Sequence, residues 1–270
     1  MGNRYLVQSI PYATRLRWVQ SNSVGVDFIL KAKEELAKGS IILTSAKGVY
    51  DHELAEHTLA LLLSLYRQLP LLRDEQHQQS WRRHTLPTIR GSRCLILGWG
   101  SLARHIARLL GTLGATVSGV RNSPVDSESD GCRVYGHVSW RSQLPSTDAL
   151  ILCLPRTTAT YHLVSEAELS LLPPHAFLVN IGRGGTLDET ALLKCVRGNR
   201  LAGAALDVFE NEPLPADHPL WREPRVVVSP HVGRSLERPP YRWQTLFEEN
   251  LRRYVRGESL RNVVDYEKGY

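Results

Sequence analysis

The chain has 270 residues and an ordinary globular composition, 42% hydrophobic and 22% charged, which leaves room for two compact domains. Its formal charge is +6, but the lysines and arginines are scattered along the sequence, which argues against a nucleic-acid-binding protein. The most apolar stretch, at residues 59–66, is far shorter than the ~20 residues that a membrane span needs. The four cysteines form no CxxC motif. We therefore expect reduced thiols, no metal and a cytoplasmic protein without nucleic-acid or membrane partners.

Apolar segments of strand length alternate with helical patterns along most of the chain. Two short strands are predicted at 16–21 and 40–46, followed by an apolar helix over 51–69. Further strands are predicted at 94–98, 115–120, 149–155, 176–182, 201–209 and 225–231, with helices between several of them and a last helix from 241. The near-continuous apolar strands indicate the α/β class, with a doubly wound parallel sheet covered on both faces.

A glycine-rich turn follows the strand at 94–98 and opens a helix. It contains a G-x-G-x-x-A motif, in which the first glycine permits a tight turn and the second lets the backbone approach a pyrophosphate. The N–H groups and the dipole at the helix N-terminus favour the same anion. In this strand–turn–helix context the motif predicts a Rossmann domain whose cofactor contacts include Gly98, Gly100, Ser101 and Leu102.

The acidic residue that usually binds the adenosine ribose of NAD is missing after the next strand. An Asp or Glu is expected about 20 residues after the turn, but the strand ends before Arg121, Asn122 and Ser123. A guanidinium with two polar neighbours suits the 2′-phosphate of NADP, which a carboxylate would repel. The sequence therefore favours NADP(H) as the cofactor and leaves NAD(H) open. The alternative interpretation of Arg121 is a solvated arginine in a turn.

Polar segments also follow three other predicted strands, and each contains one residue with catalytic chemistry. These residues are Arg183, Glu212 and His231. A guanidinium can clamp a carboxylate, an imidazole can move a proton, and a neighbouring carboxylate can orient that imidazole. Because active sites of open α/β sheets lie at the carboxyl ends of the strands, we expect the three side chains to converge. Taken singly, each residue also has a purely structural interpretation. Arg183 could brace a turn, Glu212 could be a solvated loop acid, and His231 could be a structural histidine after a proline.

Two other positions bear on this interpretation. Glu210 lies two residues before Glu212 and competes with it for the place beside His231. Glu53 and His57 are four residues apart in the predicted helix, and we interpret them as a pair on the helix surface.

The motifs occur in the order found in one known family. They are "AEHTLALLL" (55–63), the glycine turn, "LPRTTAT" (154–160), "NIGRGG" (180–185), "AALDVFENEPLP" (204–215), "SPHVG" (229–233) and "NVVDYEKGY" (262–270). From Leu16 onward the sequence resembles the D-isomer-specific 2-hydroxyacid dehydrogenases, especially the glyoxylate/hydroxypyruvate reductase branch. The resemblance implies a Rossmann cofactor domain, a smaller flavodoxin-like substrate domain, and NADPH-dependent reduction of a small 2-oxo acid to the D-2-hydroxy acid.

The resemblance also implies roles for individual residues. Arg183 would bind the 2-oxo acid, His231 would give a proton to its carbonyl oxygen, and Glu212 would hold the imidazole. The backbone N–H groups of Val24 and Gly25 would hold the substrate carboxylate. Further cofactor-binding positions implied by the resemblance are Leu154, Pro155, Thr160, Ile181, Gly182, Asp207 and Gly233.

Domain limits and assembly follow from the same resemblance. It implies a discontinuous substrate domain, 1–52 plus 240–270, and a dinucleotide-binding domain at 53–239. Family members have a strand, a helix and a strand before the segment at 16–21, so we expect a substrate domain shortened at its N-terminus. A homodimer is implied as well, in which Trp81 reaches the neighbouring subunit.

Two alternatives to an active enzyme fit the same motifs. Transcriptional corepressors of the C-terminal-binding-protein type share this fold and act as dinucleotide-sensing scaffolds. The second alternative is a shortened, inactive homologue whose cofactor domain merely dimerises.

Overall fold

A computed structural model describes residues 2–234 and 241–270 of the chain. The helices in these ranges are α1 (Gly2–Ser9), α2 (Lys33–Lys38), α3 (Asp51–Tyr66), α4 (Leu69–His77), α5 (Ser101–Thr112), α6 (Glu166–Leu171), α7 (Glu189–Arg197) and α8 (Tyr241–Val255). The strands are β1 (Trp18–Gln20), β2 (Ile42–Thr44), β3 (Arg93–Leu97), β4 (Thr116–Val120), β5 (Ser127–Ser129), β6 (Cys132–Tyr135), β7 (Ala149–Leu152), β8 (Phe177–Asn180), β9 (Gly203–Leu206) and β10 (Val226–Val228).

The chain divides into two compact units. One comprises Met1–Asp51 with Ser235–Tyr270, and the other comprises His52–Arg234. The domain boundary predicted between residues 239 and 240 lies outside the described residues. None of the described helices combines the length and the apolar character that crossing a membrane requires.

The larger unit is built on one eight-stranded sheet in the order β10-β9-β8-β7-β3-β4-β6-β5. Its strands pair in parallel, except that β5 runs antiparallel to β6 at one edge. From β3 the chain builds outward through β4 and β6, and it then returns to β7 on the other side of β3. The predicted doubly wound α/β fold is confirmed, and its strand order reverses between β3 and β7, where such sheets bind ligands.

Both faces of this sheet are covered by apolar side chains. Alternate residues of β3 belong to different clusters: Leu95 and Leu97 pack on one side, and Cys94 and Ile96 on the other. Every residue of β7, β8 and β9 is buried. Complete burial of a leucine or isoleucine side chain contributes about 1.5–3 kcal/mol. The buried sheet therefore gives a rigid base to the loops at its carboxyl edge.

The smaller unit contains a two-stranded parallel sheet, in which Trp18 of β1 is paired with Ile42 of β2. Its core is formed by Ile10, Val19, Val26, Ile29, Ala32, Leu36, Ile41, Leu43 and Val264. Asn250 of α8 is fully buried, donates to the side-chain oxygen of Gln20 and accepts from the N–H of Arg261. These hydrogen bonds attach α8 to the sheet and to the segment that follows the helix.

Candidate active site

The glycine turn lies at the carboxyl end of β3, beside the reversal of strand order. Gly98 has a φ of +99°, and a Cβ at this position would come within 2.7 Å of the carbonyl oxygen of Cys153. Only glycine fits such a conformation and such a contact. The N–H groups of Gly98 and Trp99 donate to the carbonyl of Val120, at 3.0 and 2.8 Å. The turn is therefore tied to the end of β4.

The start of α5 suits a phosphate group. A Cβ added to Gly100 would meet no atom within 4 Å, so the turn is open on that side. The N–H groups of the first helical turn, which begins at Ser101 and Leu102, have no acceptor within the helix, and the helix dipole favours negative charge there. The residues predicted for the pyrophosphate thus form a turn that a dinucleotide fits.

Arg121, Asn122 and Ser123 stand at the end of β4, directly after the residue that anchors the glycine turn. The side chains of Arg121 and Asn122 are exposed, and Ser123 is half-buried. The Arg121 N–H donates to the carbonyl of Tyr135 at 3.1 Å, which fixes the backbone of this segment. The guanidinium is therefore presented to solvent from a backbone that β6 holds in place.

The first carboxylate after β4, that of Asp126, is turned back into its own loop. Its Oδ1 accepts from the Gly136 N–H at 2.9 Å and from the Ser139 hydroxyl at 2.5 Å, and its Oδ2 accepts from Arg133 at 3.2 Å. The Gly136 N–H, the Ser139 hydroxyl and the Arg133 guanidinium together lower the pKa of Asp126. Asp126 thus stays charged and bonded within its loop, and Arg121 is the first charged residue after β4.

The loops that follow β7 and β8 are packed against each other. A Cβ at Gly182 would lie 2.7 Å from backbone atoms of Leu154, so the two segments touch through their main chains. The Thr160 hydroxyl closes the first loop by donating to the carbonyl of Pro155 at 2.6 Å. The predicted cofactor positions Leu154, Pro155, Ile181 and Gly182 are therefore side by side.

Arg183 follows β8 on a backbone that buried polar side chains hold. The Asn180 amide and the Thr186 hydroxyl both donate to the carbonyl of Arg183, at 3.3 and 2.7 Å. Asn180 is 1% exposed and Thr186 is fully buried, so these bonds are shielded from water. The side chain itself is half-buried, and its Nη1 donates to the Gly182 carbonyl at 2.7 Å. The Arg183 guanidinium is therefore held in a defined orientation by a backbone carbonyl.

His231 and Glu212 form a hydrogen-bonded pair, in which Nδ1 lies 2.8 Å from Oε2. The Phe209 N–H donates to the other carboxylate oxygen at 3.0 Å. Burial raises the pKa of Glu212, but the bonds from His231 and Phe209 and the charge of Arg183 outweigh burial and lower it. Glu212 is thus ionised at neutral pH, and Arg183 is close enough for its charge to act on it.

Glu210 has a different partner. Its Oε1 lies 2.7 Å from the Nε2 of His162, and its N–H donates to the buried carboxylate of Glu189 at 2.7 Å. Burial, with the charges of Glu210 and Glu212, raises the pKa of Glu189. Of the two acids that compete in the sequence, Glu212 is therefore the one beside His231.

Asp207 follows β9 and is buried, with 1% exposure. Its Oδ1 accepts from the Ser229 hydroxyl at 2.5 Å and from the Val232 N–H at 3.0 Å, and its Oδ2 accepts from the Gly233 N–H at 3.1 Å. Burial raises the pKa of Asp207, but the bonds from His57, Ser229 and the Val232 N–H outweigh burial and lower the pKa. The carboxylate therefore holds the loop that carries His231.

The interpretation of His57 as one member of a surface pair is wrong. Its Nε2 lies 3.2 Å from Oδ1 of Asp207 and 3.0 Å from the Ser229 hydroxyl, and its side chain is 22% exposed. A signal was present in the sequence, because His57 precedes Leu61 by one helical turn and so borders the buried face of α3. The polar partners themselves come from distant parts of the chain, which no local pattern reveals.

Val24 and Gly25 belong to the smaller unit, in the loop that follows β1. The loop is braced by the Ser23 N–H, which donates to the Ser21 hydroxyl at 3.0 Å, and by the Tyr50 hydroxyl, which donates to the carbonyl of Asn22 at 2.9 Å. The role predicted for their backbone N–H groups, holding the substrate carboxylate, stays a prediction.

Comparison with known proteins agrees with this geometry. Residues 59–233 match the family model described as the NAD binding domain of D-isomer specific 2-hydroxyacid dehydrogenases. A glyoxylate reductase from Aeropyrum pernix is 33% identical over 267 residues, covering 94% of this chain and 78% of the relative. A glyoxylate/hydroxypyruvate reductase A from Photorhabdus laumondii is 30% identical, covering 91% and 79%.

Solved structures give the same result. The NADPH-dependent glyoxylate/hydroxypyruvate reductase from Sinorhizobium meliloti, in complex with NADP and sulfate, matches with a TM-score of 0.85 at 28% identity, covering 97% of this chain and 83% of that one. The chain therefore belongs to the D-isomer-specific 2-hydroxyacid dehydrogenase family, whose members are NAD(P)-dependent oxidoreductases. The resemblance seen in the sequence is confirmed.

Proposed function

We propose that this protein uses NADPH to reduce a small 2-oxo acid of the glyoxylate or hydroxypyruvate type to the D-2-hydroxy acid. The observation that carries the proposal is the 2.8 Å pair between His231 and Glu212, with the charge of Arg183 acting on the same carboxylate. The dinucleotide turn lies at the same carboxyl edge of the same sheet. The relatives from A. pernix and P. laumondii add support, since the first is named a glyoxylate reductase and the second a glyoxylate/hydroxypyruvate reductase.

The geometry suggests how the residues divide the chemistry. When bound, the nicotinamide ring supplies the hydride that reduces the carbonyl carbon. His231 gives a proton from Nε2 to the carbonyl oxygen, because its Nδ1 is engaged by Glu212. Glu212 accepts from Nδ1–H before and after this transfer and so keeps the ring in one orientation and one tautomer. Arg183 offers a planar set of donors for the substrate carboxylate and the reacting carbonyl.

We propose NADP(H) as the preferred cofactor, with Arg121 binding the 2′-phosphate. The exposed guanidinium at the end of β4 and the engagement of Asp126 within its own loop support this preference. The structure from S. meliloti contains NADP. Asp207 is proposed to accept from the nicotinamide carboxamide: among the described residues only Gly233 donates to its Oδ2, and a carboxylate oxygen can accept two bonds.

The decisive experiment is an NADPH-oxidation assay on the full chain with glyoxylate and with hydroxypyruvate, run beside His231→Ala. We expect turnover of at least one acid and a loss of about a hundredfold or more in the variant, the scale of general acid catalysis. Tight NADPH binding without turnover would overturn the proposal in favour of a dinucleotide-sensing scaffold. Turnover that survives His231→Ala would overturn the role of the histidine.

We further propose a homodimer in the cytoplasm. Trp81 supports the first part, because its side chain is 94% exposed on the segment that follows α4, an unusual state for a large aromatic residue. The absence of a disulfide among the four cysteines, all within the described residues, supports a reducing compartment. Sedimentation of the wild type and of Trp81→Ala tests the dimer: we expect a dimer that weakens in the variant, and a wild-type monomer would refute it.

A further inference from the structure

A group of three polar side chains, two of them buried, stands behind the loop that carries His231. We call His57, Asp207 and Ser229 the His57 clamp. Nε2 of His57 lies 3.2 Å from Asp207 Oδ1 and 3.0 Å from Ser229 Oγ, and Ser229 donates to Asp207 Oδ1 at 2.5 Å. Asp207 and Ser229 are 1% and 6% exposed. The three groups therefore form a closed triangle in which the carboxylate and the hydroxyl are shielded from water.

The proton positions in the His57 clamp follow from the partners. Asp207 is a carboxylate, since its pKa is lowered, and it can only accept. The single hydroxyl proton of Ser229 goes to Asp207, so towards His57 the hydroxyl oxygen can only accept as well. Nε2 of His57 must therefore carry a hydrogen and donate to both. Asp207 thus has four donors, His57 and the three groups of the 229–233 loop.

These bonds fix the backbone on either side of His231. Ser229 precedes it by two residues, and the N–H groups of Val232 and Gly233 follow it directly. His231 itself has a φ of +54°, an uncommon conformation for a residue with a side chain. A Cβ at Gly233 would lie 3.0 Å from Asp207 and 3.1 Å from the His57 ring, so the loop is packed closely onto the clamp.

We propose that His57, on α3, is a positioning residue for His231. By completing the set of donors around Asp207, His57 keeps that carboxylate charged and correctly oriented. The carboxylate in turn holds the loop, so that Nδ1 of His231 meets Glu212. This inference rests on the proposed role of His231 in catalysis, but its structural part can be tested without activity.

The activity test compares His57→Leu, which removes the donor, with His57→Gln, whose amide N–H can replace it. Loss of a hydrogen bond to a charged group predicts a fall in kcat of about ten- to a hundredfold in His57→Leu. His57→Gln should recover most of the rate. His77→Leu, at an exposed histidine of α4, serves as the matched control and should resemble the wild type. Equal rates in wild type and His57→Leu would overturn the proposal.

A double variant distinguishes a role of His57 in positioning His231 from a general disturbance of the structure. If His57 acts through His231, adding His57→Leu to His231→Ala should change the residual rate less than twofold. A further loss as large as in the wild-type background would overturn the proposed route through His231.

Hydrogen exchange tests the His57 clamp even if no 2-oxo acid is reduced, so failure of the proposed function and failure of this inference are distinguishable. The amides of Val232 and Gly233 should exchange about tenfold faster or more in His57→Leu than in wild type, and His57→Gln should restore slow exchange. Unchanged exchange at these two amides in His57→Leu would show that His57 does not hold the loop.

Discussion

Nδ1 of His231 lies 2.8 Å from Oε2 of Glu212, and this contact determines which ring nitrogen can face a substrate. The carboxylate is held on its other side by the Phe209 N–H at 3.0 Å, so it cannot turn away when the imidazole loses its proton. Because Glu212 contacts the imidazole at Nδ1, the proton to be transferred is carried by the other ring nitrogen, Nε2. The pair therefore determines which ring nitrogen donates the proton and how the imidazole ring is oriented.

Glu212→Gln tests this relationship. The amide oxygen can still accept from Nδ1–H, but the negative charge that stabilises a protonated imidazole is lost. We expect kcat for reduction to fall by about ten- to a hundredfold, within the range that acid–base groups contribute. Glu210→Gln is the matched control, because that carboxylate contacts His162 instead, and its kcat should stay within about twofold of the wild type. Similar losses in both variants would contradict the assignment of Glu212.

Arg121→Ala tests cofactor selection. Removing a guanidinium that bonds a phosphate should raise the Kd for NADPH by about ten- to a hundredfold, while the Kd for NADH should hardly change. Fluorescence titration with each cofactor measures both constants. Arg108→Ala, at an exposed position of α5, controls for the loss of a positive charge in the same unit. A parallel loss of NADPH and NADH affinity in Arg121→Ala would argue against recognition of the 2′-phosphate.

The dinucleotide turn could be predicted from the sequence because its evidence is local. Gly98 and Gly100 follow an apolar strand and precede an apolar helical face, and the structure has β3 and α5 at these places. The alternation of β7, β8 and β9 with helices was equally visible, since all three strands are buried on both faces and read as continuous apolar runs.

Other features could not be read from local patterns. β6 pairs with β4 and extends one half of the sheet, yet only Val134 in it is buried, so the segment looks like a polar loop. The strand predicted at 149–155 ends at Leu152, because the residues after it turn to meet Gly182. The partners of His57 are hidden from local patterns for a related reason: Asp207 and Ser229 lie 150 and 172 residues further along the chain.

Gly119→Ala tests how β4 supports the glycine turn. A Cβ at Gly119 would come within 2.0 Å of Cε3 in the Trp99 ring, which lies directly over the strand. The ring would have to move, and we expect the free energy of unfolding to fall by about 1–3 kcal/mol, together with weaker NADPH binding. Removing the ring should relieve the clash. The double variant Trp99→Ala with Gly119→Ala should therefore lose less free energy of unfolding than the two single variants lose together. Strictly additive costs, measured by urea unfolding, would refute this packing argument.

Glu189→Gln tests the carboxylate beneath the 207–212 loop. Burial raises the pKa of Glu189, and the charges of Glu210 and Glu212 raise it further. A carboxyl whose pKa is raised on folding contributes stability below its ordinary pKa of about 4.3, and that contribution is lost as the pH rises through the folded pKa. At pH 7, above the ordinary pKa, Glu189 therefore opposes folding, because the folded protein must either bury the charge or bind a proton there.

Glutamine stays neutral and keeps an oxygen that can accept from the Glu210 N–H, the bond that Glu189 makes at 2.7 Å. We therefore expect Glu189→Gln to unfold at a higher urea concentration than the wild type at pH 7, and the difference to shrink as the pH falls towards about 4. Glu128→Gln, at an exposed position of β5, should unfold like the wild type at every pH. A Glu189→Gln protein that is less stable than the wild type at pH 7 would mean that the charged carboxylate is needed to hold Glu210, with the favourable bond outweighing the cost of burial.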